Sequence, residues 1–467
     1  MNSFVAGIDL GTEGVRVYVL DLQGTLRASA AHPLETLEGP EGWVEQDPEA
    51  WWASMCRCLR AVCRDVKQIR ALSVTSTSGT FVVLDAQGRP LRPAILYSDG
   101  RATQEAAELG VRPTDPVAKL LWLRRHEPEV YGKVRRIVHA ADFVTARLTG
   151  RWATDWSHAL KTGYDVVTLR WSPILEKAGV ELEMLPEVLR PATPIGPLTR
   201  TAAEQTGLHH KTLVVAGMTD GCTGQIACGA VLPGQWCSVL GTTLVLKGVS
   251  TQRIVDPFRR VYCHRHPDGY WMPGGASNTG GEGLRRAFPD ADLSALDTEA
   301  LHHTPTGLIV YPLVRQGERF PFVAPQARGF VEGTPVSRAQ SYAAYLEGVA
   351  YLERLGYETL LALGAEVGEV IHTAGGGARS RPWLQIRSDV LGRVLRRPAL
   401  AGAAAGAAIL AAMATTDEPL ARCAAAMVRI ELEVTPRREV SARYGEAYRR
   451  FTDALRRRGY LDSNPGE

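Results

Sequence analysis

Little in this 467-residue chain is present in excess. Basic residues number 53 and acidic residues 50, for a formal net charge of +3, so no electrostatic footprint for nucleic acid is expected. No window reaches the ~20 consecutive apolar residues of a membrane-spanning helix, so no membrane partner is expected. Met1 leads straight into a strand-like run with neither a basic leader nor an apolar signal-type stretch, which makes the cytoplasm the expected compartment. None of the eight cysteines (Cys56, Cys58, Cys63, Cys222, Cys228, Cys237, Cys263, Cys423) is in a paired C-x-x-C spacing, and only Cys263 has histidines beside it, His264 and His266. That pattern argues against a structural zinc site and for reduced thiols. There is no G-x-x-x-x-G-K-[ST] stretch and no Gly-rich loop with the partner motifs of protein kinases, so any nucleotide is held in some other way.

What is present is ordinary globular material, 45% hydrophobic and 22% charged, enough for two domains of ~200 residues or more each. A basic cluster near the end (Arg449, Arg450, Arg456, Arg457, Arg458) lies among Tyr444, Tyr448, Phe451 and Leu455 at helical spacing. It reads as the solvated face of a closing helix rather than a phosphate-backbone contact.

The chain starts twice. Phe4 to Asp21 gives two β-rich runs joined by a turn containing Gly11 and Gly14, and Gly234 to Gly248 repeats strand, Gly-Thr turn, strand. The two hairpins are separated by the length of a domain, and Pro233-Gly234 is a natural hinge, so domains 1–233 and 234–467 are expected. Short β-branched runs alternate with helical stretches between and after them, which is the α/β pattern. A long helix is predicted from Arg338 to about Leu363, a strand over Val370 to Thr373, and an Ala-rich helix over Ala403 to Ala412.

A polyphosphate is held by backbone N–H groups in a turn of Gly, Ser and Thr, the residues that let main chain approach closely. Asp9-Leu-Gly-Thr-Glu-Gly14 and Leu240-Gly-Thr-Thr243 both qualify, although either turn could simply close a hairpin. Gly375-Gly-Gly-Ala-Arg379 would let adenine and ribose lie against bare backbone. Phosphoryl transfer to a hydroxyl also needs a carboxylate within reach of that hydroxyl. Asp220 follows an apolar strand and a Gly-Met-Thr turn and opens a helix of small residues, so it is either a plain helix cap or the base. Asp9 ends a buried strand beside a phosphate-type turn, where it is either a turn cap or a partner for Mg2+.

Taken together, Gly7-Ile-Asp-Leu-Gly-Thr12, Gly42-Trp-Val-Glu-Gln-Asp47, Pro116 to Leu123, Gly217-Met-Thr-Asp-Gly221, Leu240 to Thr243, Ala374 to Ser380 and Trp383 to Gly392 resemble the FGGY family of carbohydrate kinases over nearly the whole chain. The resemblance implies two actin-like, ribonuclease H-type ATPase domains with an active-site cleft between them, sugar bound mainly by the first and MgATP by the second, with ATP and Mg2+ as cofactors. It implies Asp220 as general base, Asp9 near metal and sugar, Gly11, Thr12, Gly241, Thr242 and Thr243 at the phosphates, and Gly281, Gly376, Gly377 and Ala378 around the nucleotide. Family members are often dimers, so a homodimer is a further expectation.

For the acceptor, Thr77-Ser78-Gly79 stands where the xylulokinases have Met-His-Gly. Thr77 to Thr80, Ala159 to Tyr164, Tyr270 to Asn278 and Gly317 to Pro321 are most similar to D-ribulose kinases of cyanobacteria and plant plastids. That subgroup implies sugar contacts at Asp9, Glu13, Gly14, Val15, Arg16, Ser78 and Asp220. Glu13 departs from its usual Ser, and Trp43 to Asp47 with Tyr97 to Arg101 look more like xylulokinases. The expected reaction is therefore phosphorylation of D-ribulose at its terminal hydroxyl, with D-xylulose or another polyol as the alternative acceptor. Rival readings are a sugar- and nucleotide-binding sensor, disfavoured by the presence of both Asp9 and Asp220, and an actin- or chaperone-like ATPase.

Overall fold

Seven residues that pack on both faces set the centre of the first sheet: Phe4–Leu10 (β1) is buried along nearly its whole length, the signature of an interior strand rather than an edge. In the computed structural model, which describes residues 3–66 and 68–461, β1 pairs antiparallel with Gly14–Asp21 (β2), which pairs in turn with Leu26–Pro33 (β3). Asp47 then caps Pro48–Asp65 (α1) by accepting from the Glu49 N–H at 2.9 Å. This helix buries Trp51, Met55, Cys58, Leu59 and Val62, a single apolar stripe. On the other side of β1 runs Ile69–Ser76 (β4), parallel to it. Pro194–Pro197 (β5) and Leu213–Val215 (β6) complete a six-stranded sheet in the order β5-β6-β4-β1-β2-β3, and Asp220–Ala227 (α2) follows.

The second half repeats this plan. Trp236–Leu240 (β7) and Leu244–Gly248 (β8) form the hairpin, and Val261–Arg265 (β9) and Trp271–Ala276 (β10) extend it antiparallel. The helix Arg338–Ala362 (α3) leads to Val370–Ala374 (β11), parallel to β7. Arg381–Leu391 (α4), Val394–Pro398 (β12) and Ile430–Val434 (β13) then give the order β9-β10-β8-β7-β11-β12-β13. Both sheets therefore have an antiparallel meander running into two parallel pairings, with one extra edge strand in the second. Among the buried residues of this half is a carboxylate–guanidinium pair, with Arg387 of α4 donating to Glu353 of α3 at 2.6 and 2.9 Å and to Thr373 Oγ1 at 2.9 Å.

Compactness divides the chain into Met1–Ala227 with Pro267–Gly269 and Gly402–Val428, and Cys228–His266 with Tyr270–Ala401 and Arg429–Glu467. The break falls six residues before the expected Pro233-Gly234 hinge. More importantly, the Ala-rich helix Ala403–Thr416 (α5) belongs with the first unit, not the second. The reason is steric: a Cβ on Gly7 would lie 1.8 Å from Ala404 O, and one on Gly406 would lie 1.8 Å from Thr223 O. Two glycines thus let α5 press directly onto β1 and α2. The closing helix Arg438–Arg457 (α6) buries Tyr444, Tyr448, Phe451 and Leu455. Its basic face is solvated and paired: Arg449 with Glu446, Arg456 with Asp453, and Arg457 and Arg458 with Glu332. Among the described residues no helix is long and apolar enough to cross a membrane.

Candidate active site

The first unit's polar residues gather at the carboxyl ends of β1, β4 and β6, where ligands bind in sheets of this kind. Asp9 sits one residue before the end of β1, in register with Thr75 of β4 and opposite Arg16 of β2. Ser78 lies just past β4, and the Gly217–Thr219 segment after β6 is bridged to β4 through Thr219 and Ser76. Asp220 then opens α2. It is the first residue of the helix rather than its preceding cap, and its Oδ1 accepts from the Gly221 N–H at 2.6 Å.

Asp9 is the electrostatic centre of this group. Burial pushes its pKa up, the Asp220 charge pushes it further, and the Arg16 guanidinium, 3.7 Å away, pulls it back; the result is about 7. Two oxygens here have no hydrogen-bond partner in the protein although both are buried: Asp9 Oδ1 and Ser78 Oγ. Buried polar atoms are rarely left that way, and an orphan carboxylate oxygen suits a hydrated Mg2+, which takes one or two carboxylates and otherwise waters and phosphates. No cluster of three or more His, Cys, Asp or Glu side chains suited to a metal exists among the described residues.

The remaining first-unit candidates divide sharply. Glu13 is exposed at the hairpin tip, 3.9 Å from Arg16. Val15 lies in the core, fully buried, and Gly14 is pressed onto β3, where a Cβ would meet His32 O at 2.6 Å; only main chain of these two could face a ligand. The Gly11 N–H is bonded to Gly14 O at 3.0 Å, and the Thr12 carbonyl accepts from Gln46 Nε2 at 2.7 Å. Gln46 therefore shapes the turn, a role for which Trp43 to Asp47 offered no sign. Both xylulokinase-like stretches prove to be one buried ion cluster. Asp99 Oδ2 accepts from the Val44 N–H at 2.6 Å, Arg101 pairs with Asp99 and Glu45, and its guanidinium lies 4.0 Å from the centre of the Trp43 ring.

In the second unit three predicted stretches converge on one turn. Gly241 N–H donates to Thr243 O at 3.0 Å, Gly281 N–H to Gly241 O at 2.9 Å, and Glu282 N–H to Thr242 O at 3.1 Å, while Arg285 donates to Thr242 Oγ1 at 2.9 Å. Gly375, at φ +87°, and Gly377 press on Leu240, where Cβ atoms would lie 2.4 and 2.5 Å from its atoms. Gly377 and Ala378 face inward, whereas Gly241 and Gly376 open onto free space. Main chain is thus presented bare at two points, which fits a nucleotide. The anchor that sequence reading missed is Glu318. Buried, it accepts from Ser277 Oγ at 2.9 Å, Asn278 N at 2.7 Å, Thr279 Oγ1 at 2.9 Å and Tyr311 OH at 3.0 Å, and Thr279 O in turn accepts from the Leu244 N–H at 2.9 Å.

Comparison with known proteins matches residues 4–227 to the N-terminal domain of the FGGY family of carbohydrate kinases and residues 236–415 to its C-terminal domain. The chain belongs to the FGGY family. This FGGY chain is 32% identical over 451 residues to the xylulose kinase of Escherichia coli K12, spanning 88% of this chain and 90% of that one. Its structure is similar to a xyloylose kinase from Brucella ovis (TM-score 0.91, 27% identity, 98% of this chain and 100% of that one). It is also similar to the xylulose kinase from Rhodospirillum rubrum (TM-score 0.87, 28% identity, 97% and 98%). The two α/β units are those of the actin-like ATPase fold. The protein is a carbohydrate kinase, and ATP with Mg2+ is the family's phosphoryl donor.

Proposed function

We propose that this chain transfers the γ-phosphoryl group of ATP to the terminal hydroxyl of an open-chain ketopentose, with D-xylulose as the acceptor to test first. The observation that carries the reading is the pair Asp9 and Asp220 at the carboxyl ends of β1 and β6, on either side of β4 and close enough for the second to raise the pKa of the first. Asp220 orients the terminal hydroxyl and accepts its proton as the oxygen attacks phosphorus in line. Asp9, with Arg16 opposite, holds neighbouring hydroxyls and the outer shell of the ion, and Ser78 Oγ offers a donor and acceptor to a sugar hydroxyl. The Gly241–Thr243 turn, Gly281 and the Gly376–Ala378 segment receive the nucleotide. Mg2+ bound with ATP would neutralise charge on the transferring phosphoryl group.

D-xylulose is supported by relatives that carry the name xylulose kinase, among them those at 32% and 28% identity. D-ribulose is the second reading, favoured by Ser78 where xylulokinases have His. A coupled ADP-release assay comparing kcat/KM for D-xylulose, D-ribulose, L-ribulose, ribitol and glycerol separates them. A D-xylulose preference supports the first reading; a D-ribulose preference makes Ser78 the first specificity residue to change. Asp220→Ala should lower kcat by roughly 100- to 10,000-fold with nucleotide affinity retained. Near-normal turnover in that variant would remove Asp220 as the base, and ATP hydrolysis that no sugar stimulates would overturn the kinase reading itself.

A further inference from the structure

Behind Asp220 lies a line of buried side chains that the proposed transfer does not use. The short helix Trp156–Thr162 is capped by Asp155, whose Oδ1 accepts from the Ser157 and His158 N–H groups at 2.7 and 3.2 Å. A cap requires nothing more. Yet the same Oδ1 also accepts the Ser157 hydroxyl at 2.6 Å, and Oδ2 bonds His158 Nδ1. All three residues are at most 2% exposed, so the arrangement carries a desolvation cost that a surface cap would not.

Two arms run from this pair to the residue before Asp220. Ser157 Oγ accepts from the Thr219 N–H at 2.8 Å. On the other side His158 Nε2 lies 2.9 Å from Ser76 Oγ, and Ser76 is the β-bridge partner of Thr219. The preceding residues are held as tightly: the Thr75 hydroxyl donates to Met218 O at 2.6 Å, and a Cβ on Gly217 would fall 1.9 Å from Val74 O. Burial opposes a charge on His158, but the charge and hydrogen bond of Asp155, joined by the Asp142 and Asp220 charges, together raise the ring's pKa.

We infer that Ser157 and His158 are positioning residues for phosphoryl transfer: through Thr219 they fix where the Asp220 carboxylate stands relative to the acceptor hydroxyl, without touching either substrate. The inference rests on Asp220 being the base. A displacement of ~1 Å in such a group costs on the order of 100-fold in rate, so the effect belongs in kcat.

The test is steady-state kinetics on the full-length enzyme carrying Ser157→Ala, Ser157→Thr or Asp220→Ala, and on the Ser157→Ala/Asp220→Ala double variant. Ser157→Ala should lower kcat by about 10- to 100-fold with KM for ATP within about twofold, and Ser157→Thr, which keeps the hydroxyl, should recover most of the loss. In the Asp220→Ala background Ser157→Ala should cost nothing further, because the group it positions is gone; a general weakening of the fold would cost the same in both. A folded Ser157→Ala enzyme with kcat within about twofold of the parent overturns the inference. If that variant does not fold, His158→Gln answers the same question with the same two outcomes. An active Asp220→Ala enzyme removes the base reading, and this inference with it; an inactive one beside a normal Ser157→Ala enzyme removes only the positioning role.

Discussion

Replacing Asp9 by Asn should make the ligand-free protein more stable while abolishing catalysis, and the gain should depend on pH in a calculable way. Burial, the Asp220 charge and the opposing Arg16 leave the Asp9 pKa near 7 in place of 3.8. An acid whose pKa is higher in the folded than in the unfolded state binds more protons when folded. Stability therefore falls as pH rises from the lower value to the higher and stays low above it. The gap of about 3 units is worth about 4 kcal/mol in full, at ~1.4 kcal/mol per unit, and the side chain is only 12% exposed, so solvent screening removes little of it. Asn has the shape of the protonated acid without the charge. Asp9→Asn should then stabilise the protein by about 4 kcal/mol at pH 8 but by only about 1–2 kcal/mol at pH 5, where the folded carboxyl already holds its proton. Thermal unfolding without sugar or nucleotide should show a Tm gain of roughly 4–8 °C at pH 8 against about 2–3 °C at pH 5. An equal gain at both pH values, or none at pH 8, would refute the electrostatic reasoning.

Three further substitutions probe the remaining structure. Glu318→Gln keeps the shape of the anchor under Ser277, Asn278 and Thr279 but removes the charge those donors share; KM for ATP should rise about tenfold, given that hydrogen bonds to charged groups contribute ~1.5–3 kcal/mol. The sugar KM should stay put, and titration by initial rates distinguishes the two. Arg387→Ala leaves Glu353 buried without its guanidinium and should cost about 3–5 kcal/mol in calorimetric stability; a loss under about 1 kcal/mol would mean the pair is dispensable. Gly406→Ala puts a methyl group where Thr223 O already sits and should lower the Tm by several degrees, since overpacking costs roughly 1–3 kcal/mol.

Local signals carried much of this molecule. Both hairpins were legible because each pairs β-branched runs around a Gly-Thr turn, and α6 because Tyr444, Tyr448, Phe451 and Leu455 repeat at helical spacing. The allegiance of α5 was not legible. Its residues from Ala404 to Met413 are buried all round, so no amphipathic stripe points to a partner, and the two glycines that admit it lie some 400 residues apart in sequence. At the site, Asp9 and Asp220 were candidates from the turns that carry them, and Ser78 from the family resemblance alone. Their supports were not: the His158–Ser76 bond spans 82 residues and the Thr219–Ser157 bond 62, and no spacing rule reaches so far. The Trp43 to Asp47 and Tyr97 to Arg101 stretches, which resemble xylulokinases, also hold each other through Asp99 and Arg101, a contact that no spacing rule shows.

The late arrival of α5 bears on how the protein is made. Its first unit lays down β1, β4 and α2 within the opening 227 residues, but the face against which α5 packs stays uncovered until residues 403–416 have left the ribosome. Throughout synthesis of the intervening chain, the Gly7 face of the sheet, with Val5 and its strand neighbours Leu20 and Ala71, is open to solvent or to chaperones, the condition under which nascent chains aggregate. A fragment ending at Ala227 would carry that exposure permanently, whereas the same fragment supplied with a peptide spanning residues 402–428 has what it needs to close.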